Sequence, residues 1–491
     1  MDSSKIVLSM VIITLGLVLD LIFYYLMLKF FDVEIIGYYS VIISFFLSFK
    51  FITNLGFITA HLKFFPEAKN PIEEAIYNGA YFFFSIIQYS CYISLMLILI
   101  PIVPLYEDDI SVVYMFFLAI VLRIENFVNP LYLIKKQVVK RNISTVLTFI
   151  LRIILLISFH NIFINSIIFL IGIIMTSNIV YLILNLYLLR KIRLKKPTKM
   201  LIKRYFNFAY PLFIISTFTI FFQNIDVYII NYWIPVTDLA NYYTAKRFYQ
   251  AFIVFTLSVS NILITTFSRN IISGNDEINY ELMGRTHKFL NIVIIPSVFV
   301  IALYSSRILI LIFGEDYRLA GINMTILAFN LIPVSVNCTI LIYFRALGKT
   351  KLVSLITIIQ SLIGLLMLII LTAPIFLNLG IIGASLAIPV TGILTELIFR
   401  PIYYKKFKIG FYWGLFRNLI IMFSVFMVQS FINEIFSYPI YLIPLFLLLD
   451  LGLYFIINYI FKGLSKEDVR FALNVIRFKN LKAQIFSEIK N

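Results

Sequence analysis

Charge is scarce in this sequence: Asp, Glu, Lys and Arg make up only 13% of 491 residues, hydrophobic residues 61%, and the mean hydropathy is +0.97. Water-soluble domains run nearer about 25% charged and about 45–50% apolar. No single water-soluble core hides so much apolar surface, so the chain reads as an integral membrane protein. Cysteine is nearly absent; Cys91 and Cys338 lie within apolar runs and read as small buried hydrophobes. The only histidines, His61, His160 and His287, are scattered, so no metal site and no cofactor is expected. Long loops are also lacking, which leaves no room for an extramembrane domain. Met1 to Leu28 is too long for a signal-peptide core and lacks a small-residue cleavage site, so it is expected to be a first span.

What the chain does have is a recurrent apolar run of membrane-crossing length, about fourteen times over. The expected limits are 6–28, 38–60, 77–100, 110–133, 143–160, 164–189, 206–232, 239–266, 287–313, 319–344, 352–374, 378–399, 412–432 and 438–461. Cations concentrate in alternate connections: Lys135 to Arg141, Arg190 to Arg204, Arg345 to Lys351 and Arg400 to Lys408. Acids mark the others: Asp32 and Glu34, then Glu107, Asp108 and Asp109, then Asp238, Glu315 with Asp316, and Glu434. By the positive-inside rule both termini are cytoplasmic. The net charge of +17 is then a topology signal facing anionic lipid, and nucleic acid is excluded as a partner.

Spans one to six (1–189) and seven to twelve (206–400) read as two lobes joined by a basic linker, 190–205. Glu34-Ile-Ile-Gly-Tyr38-Tyr39-Ser40 and Asp238-Leu-Ala-Asn-Tyr242-Tyr243-Thr244 lie 204 positions apart, and the same offset carries spans one to five onto seven to eleven. Six spans per unit give parallel repeats related by an axis along the membrane normal. Two further spans occupy 401–461. The tail, 462–491, has capping-box spacing at Ser465 and Asp468 and an apolar stripe among cations, as in a helix lying on the inner membrane surface.

Three cations lie deep in the first lobe. At 1.5 Å per residue, Lys50 and Arg123 fall roughly 18–20 Å below the outer surface and Arg152 roughly 12 Å. Ionisable side chains at such depth face a bundle interior or a wet cavity. Together they could hold a phosphate, Arg by bidentate contacts and Lys as a point charge. The structural reading of the same residues is pairing: Asp20 with Arg152, Glu125 with Lys50, and Arg123 left over. Polar stripes accompany them. Lys50, Asn54 and His61 share one face of span two, and Ser216, Thr219, Gln223 and Asp226 share one face of span seven. Asp226, at the depth of Lys246 and Arg247, is either a salt-bridge partner or a coupling or gating carboxylate. Asn323, Asn330 and Asn337 recur every seven residues of span ten around Pro333, on a helix expected to bend. They would serve sugar hydroxyls or interhelical hydrogen bonds. Tyr38, Tyr39, Tyr242 and Tyr243 are expected in an interfacial aromatic belt.

Several stretches resemble a known family. LILIFGEDYRLAG (Leu309 to Gly321), LIYFRALGKTKL (Leu341 to Leu352), NLGIIGASLA (Asn378 to Ala387), FAYPLFIISTFTIFFQNIDVYII (Phe208 to Ile230) and ITNLGFITAHLKFF (Ile52 to Phe65) are similar to the polysaccharide-transporter, or Wzx-type flippase, branch of the multidrug/oligosaccharidyl-lipid/polysaccharide exporter superfamily. The resemblance implies a pair of six-helix lobes around a central cavity working by alternating access. It also implies transfer of isoprenoid-phosphate-linked sugars between leaflets, with no enzymatic step. On this reading Arg123, Lys50 and Arg152 are the cavity cations. Asp226, Arg247, Lys246, Asp20 and Glu125 are coupling or gating candidates for H+, Na+ or the membrane potential. Asn54, Gln223, Asn330 and Asn337 line the cavity. The protein would act as a monomer in the cell membrane. Two rivals stay open. A multidrug/cation antiporter of the superfamily would want carboxylates to dominate the cavity, and here cations do. A membrane glycosyltransferase could use Glu107, Asp108 and Asp109 for a divalent ion, but would need larger outer loops.

Overall fold

Apolar runs broken at a few polar or glycine residues fold as helices. The computed structural model describes residues 3–103, 105–106, 109–134, 138–162, 166–190, 192–272, 276–410, 413–435, 442–461 and 463, and these hold no strand. In chain order the helices are α1 (Ser3–Phe30), α2 (Val33–Phe49), α3 (Phe57–Phe64), α4 (Pro71–Leu99), α5 (Ile110–Leu122), α6 (Glu125–Ile134), α7 (Val138–Phe159), α8 (Ile167–Leu189) and α9 (Lys199–Ile230). They continue as α10 (Val236–Ile272), α11 (Asp276–Phe313), α12 (Arg318–Ala328), α13 (Leu331–Ala346), α14 (Thr350–Thr372), α15 (Gly380–Phe407), α16 (Gly414–Ile435) and α17 (Ile443–Ile460). Each expected span falls on one helix or on helices in series. Among the described residues nine helical segments are long and apolar enough to cross a membrane, ten if the bent pair α12–α13 is one span. The protein is a multi-pass membrane protein.

By contact the chain divides after Asn231. In the first unit α1 lies along α7, α2 along α9, and α8 packs on both α5 and α7. The seventh span therefore belongs by contact to the first unit, although the repeat in the sequence begins a lobe with it. In the second unit α10 packs on α12 and α13, α11 on α12 and α16, and α14 on α15.

Local chemistry sets many helix starts. Asn70 caps α4, its Oδ1 accepting from Glu73 N at 2.8 Å, while Glu73 Oε2 accepts from Lys69 N at 2.8 Å; this is a variant of the capping box whose return bond reaches the residue before the cap, with Pro71 in the first turn. Thr198 and Ser166 cap α9 and α8 by accepting from Leu201 N and Phe169 N, three residues on. The basic linker is strapped across α4: Lys195 N donates to Ala75 O at 2.9 Å. A Cβ on Gly79 would stand 1.8 Å from Lys195 O, so only glycine lets the strap lie down.

Three expected spans are broken. Span two stops at Phe49, winds through a 3-10 turn over Lys50–Asn54, and restarts after Gly56, whose φ of +84° is a left-handed conformation that glycine adopts readily. Span four breaks at Arg123–Ile124, between α5 and α6. Span ten bends by 42° between α12 and α13. Pro333 explains that last break: a proline ring clashes with the carbonyl four residues earlier, here Phe329. The repeat offset carries the span-four break to within two or three residues of the span-ten break. It does not carry the span-two break, since α10 runs on unbroken.

Three of the four paired tyrosines of the repeat lie inside the units, and Tyr38 is half-buried. Tyr39, Tyr242 and Tyr243 are buried, which corrects the aromatic-belt expectation for these three. Asn241 beside them receives Ala320 N at 2.8 Å and donates to Asp316 O at 3.0 Å, so the motif ties α10 to the start of α12.

Candidate functional site

The breaks of spans two and four meet. Thr53, in the 3-10 turn, donates to Lys50 O at 2.8 Å and accepts from Asn126 Nδ2 at 2.8 Å. Asn126 opens α6 just past the other break. Pro130 inside α6 has no N–H, so the Asn126 carbonyl lacks its helical donor. Tyr81 of α4 supplies one, its hydroxyl lying 2.8 Å from Asn126 O. The ring of Tyr81 is clamped between His61 (4.5 Å) and Phe127 (6.0 Å). Thus Lys50, Arg123 and Glu125 are gathered on one hydrogen-bonded junction of non-helical backbone.

The pairing within it differs from expectation. Arg123 Nε lies 3.2 Å from Glu125 Oε2, each side chain about a quarter exposed (25% and 26%). Lys50 makes no ion pair among the described residues, though it lies within Coulombic range of both. The sequence had matched Glu125 to Lys50 and left Arg123 over. On a continuous helix residues two apart do not face each other; the break, with Arg123 at φ −83° and ψ 75°, turns the two side chains together. Among the described residues, the junction cation without a carboxylate is Lys50, half-buried at the end of α2.

Arg152 is built into the unit more tightly. It is buried, with Nε donating to Ser177 Oγ at 2.8 Å and Nη2 to Asn178 Oδ1 at 2.8 Å. Asn178 in turn donates to Ala119 O at 2.8 Å, which fixes its amide for the arginine. The guanidinium lies over Phe23 (5.8 Å) and over Phe149 (5.2 Å), and Phe149 also receives Arg123 (5.6 Å). One ring therefore carries both arginines by cation–π contact. Asp20 sits on α1 one turn before Phe23, on the helix that lies along Arg152's own.

The remaining candidates have other surroundings. His61 does not continue a stripe from Lys50 and Asn54, because the turn ending at Gly56 interrupts the helix. It is buried against Tyr81, its Nδ1 3.0 Å from the Tyr205 hydroxyl. Asn54 is half-buried in the turn, Gln223 of α9 is exposed and Asp226 half-buried. The side chains of Ser216 and Thr219 lie outside the described residues. Asp226 belongs to the first unit by contact, whereas Lys246 (buried) and Arg247 (half-buried) are on α10 in the second. The span-ten asparagines serve helix packing. Asn323 accepts from Ser385 at 2.8 Å and Asn330 donates to the Tyr249 hydroxyl. Asn337 lies beside Glu396 of α15, which pairs with Arg400 at 3.1 Å. In the acidic cluster, Glu107 and Asp108 lie outside the described residues. Asp109 caps α5, accepting from Ser111 N and Ser111 Oγ, both at 2.7 Å, and these bonds hold its carboxyl below the usual range. The tail helix expected over 465–482 also lies outside the described residues.

Thr53, Asn126 and Tyr81, which carry the junction, and Ser177 and Asn178, which hold Arg152, have no counterpart among the sequence candidates. Pro130 was the available signal: it marks the carbonyl four residues earlier as needing a donor from elsewhere.

Among the described residues, helices in broken apolar spans, with charge gathered at two of the breaks, make the architecture of a polytopic membrane protein. The fold matches the lipid II flippase MurJ in an inward closed conformation with a TM-score of 0.68, at 15% identity over 93% of this chain and 98% of that one. It also matches an inward-facing multidrug resistance MATE family transporter of the MOP superfamily with a TM-score of 0.63, at 12% identity over 79% of this chain and 96% of that one. At such identities these are likenesses of fold. The chain belongs to the polysaccharide biosynthesis protein family, whose model matches residues 29–321. It is also similar to the probable low-salt glycan biosynthesis flippase Agl15 of Haloferax volcanii, 25% identical over 194 residues. That match spans 40% of each chain.

Proposed function

We propose that the protein moves an isoprenoid-phosphate-linked oligosaccharide from the inner to the outer leaflet of the cell membrane by alternating access, for surface polysaccharide or glycoprotein synthesis. The observation that carries this reading is the junction of spans two and four. Lys50 stands there without an ion pair among the described residues, beside an arginine whose carboxylate partner is itself part exposed. Lys50, Arg123 and Glu125 together leave one net positive charge on non-helical backbone within apolar spans, which suits a phosphate or diphosphate headgroup. Family membership, the flippase relative and the MurJ-like fold support the same reading.

The protein binds and re-exposes its substrate without changing a bond. Coupling is to H+, Na+ or the membrane potential, with Asp226, Lys246, Arg247, Asp20 and Glu125 as the groups to test. It works as a monomer with both termini in the cytoplasm. The MATE-like fold also suits multidrug/cation antiport, and the excess of cations at the junction is what weighs against it.

The test is complementation of cells lacking the flippase. Lys50→Gln should abolish surface glycan and accumulate its lipid-linked precursor on the inner leaflet, at normal protein abundance. Lys50→Arg should retain part of the activity. Arg123→Gln should also lose activity, since it leaves Glu125 to neutralise Lys50. Normal surface glycan in the abundant Lys50→Gln protein would overturn the phosphate role.

A further inference from the structure

The two helices beyond the repeat carry a cluster of polar groups that nothing above uses. Arg417 lies in the first turn of α16, and Asn458 in the last turn of α17. The two helices pack together as an antiparallel pair, so these turns are at the same end of the hairpin. Gly463 closes that end: its N–H caps α17 by donating to Asn458 O at 2.8 Å. A Cβ placed on it would be 1.8 Å from Asn458 Oδ1 and 2.9 Å from Arg417 Nη2. Arg417 and Asn458 thus converge on one buried point beside Gly463, which any side chain there would overlap.

These groups lack partners. Asn458 and Asn418 are both fully buried at 0% exposure, and neither amide atom of either has a hydrogen-bond partner among the described residues. Arg417 Nε is buried and likewise unpartnered, and no carboxylate among the described residues pairs with the guanidinium. Leu415 and Met422 pack against Tyr454. Asn418, one turn from each, shares their face, and Asn458 is one turn beyond Tyr454, so both amides lie in one seam. Buried donors left unsatisfied are costly, and a guanidinium near the positive end of its own helix calls for an anion.

We propose that Arg417, Asn418 and Asn458 form a binding site for a phosphate group at the end of the α16–α17 hairpin. A phosphate oxygen pair matches the guanidinium fork, and the carboxamide N–H groups complete the donor set. The source is either a phospholipid headgroup in the adjoining leaflet or phosphate from solution. The site is separate from the Lys50 junction and stands whether or not the protein moves a glycolipid.

Ligand that binds the folded form alone raises its melting temperature, which gives the test. The full chain in detergent is melted with phosphatidylglycerol, with a phosphate-free glycolipid of the same acyl chains, and with inorganic phosphate. Phosphatidylglycerol should raise the Tm, the glycolipid should not, and the inorganic phosphate arm separates a site for any phosphate from one that needs the lipid. Arg417→Gln should abolish the shift, Arg417→Lys should reduce it, and Lys50→Gln should leave it intact. Should Arg417→Gln fail to fold, native mass spectrometry of Arg417→Lys against the unaltered protein reads retained phosphatidylglycerol. An equal shift in the Arg417→Gln protein, equal retention by Arg417→Lys, or no shift with either phosphate source overturns the proposal.

Discussion

Tyr81→Phe should weaken the first unit and the junction while leaving every cation in place. The ring and its stacking on His61 are kept, so the change removes only the hydroxyl that serves Asn126 O at 2.8 Å. Because Pro130 has no N–H to give, that part-buried carbonyl is left without a donor, which costs about 1–3 kcal/mol. With roughly 2–4 °C lost per kcal/mol for units of this size, the apparent Tm should fall by about 2–12 °C. The decisive measurement is a double-mutant cycle. Pro130→Ala restores an amide that can reach Asn126 O in α6, so Tyr81→Phe should cost at least half as much less in that background. Thermal melts of the four proteins in detergent supply the cycle. If the two substitutions add to within about 0.5 kcal/mol, the hydroxyl is not standing in for the missing helix bond and the account of the junction fails.

Two glycines test close approaches. Gly79→Ala puts a Cβ onto Lys195 O, so the basic strap must lift from α4 and lose its bond to Ala75, at about 1–3 kcal/mol. Trypsin should then cut after Arg193 and Lys195 several-fold faster, and an unchanged rate would count against the strap. Gly321→Ala drives a Cβ to 2.3 Å from Ser306 Cα, where α11 meets α12. It should lower the apparent Tm by several degrees at about 1–3 kcal/mol; a variant as stable as the unaltered protein would show that the two helices can part cheaply.

Much of the architecture was legible in the residues themselves. Apolar runs of fixed length cannot satisfy their backbone in a bilayer except as helices, so the span positions follow from hydropathy. Pro333 announced the bend of span ten. The family was visible as five short stretches in order. The site was legible in kind only. Depth along a sequence located Lys50, Arg123 and Arg152 but carried no information about which carboxylate each would meet.

That choice belonged to the tertiary structure. Arg123 and Glu125 are two residues apart and pair only because the helix breaks between them. Among the described residues, Lys50 is left as the unpaired cation of the junction by the same event. Arg152 took its partners from α8, over twenty residues away, because α7 and α8 pack together. Sequence by itself therefore determined that this is a multi-pass membrane protein with deep positive charge in its first half, since both follow from composition and periodicity. Only the fold decided which of those charges remains to meet a ligand, because backbone breaks and helix contacts, not spacing, aim a side chain.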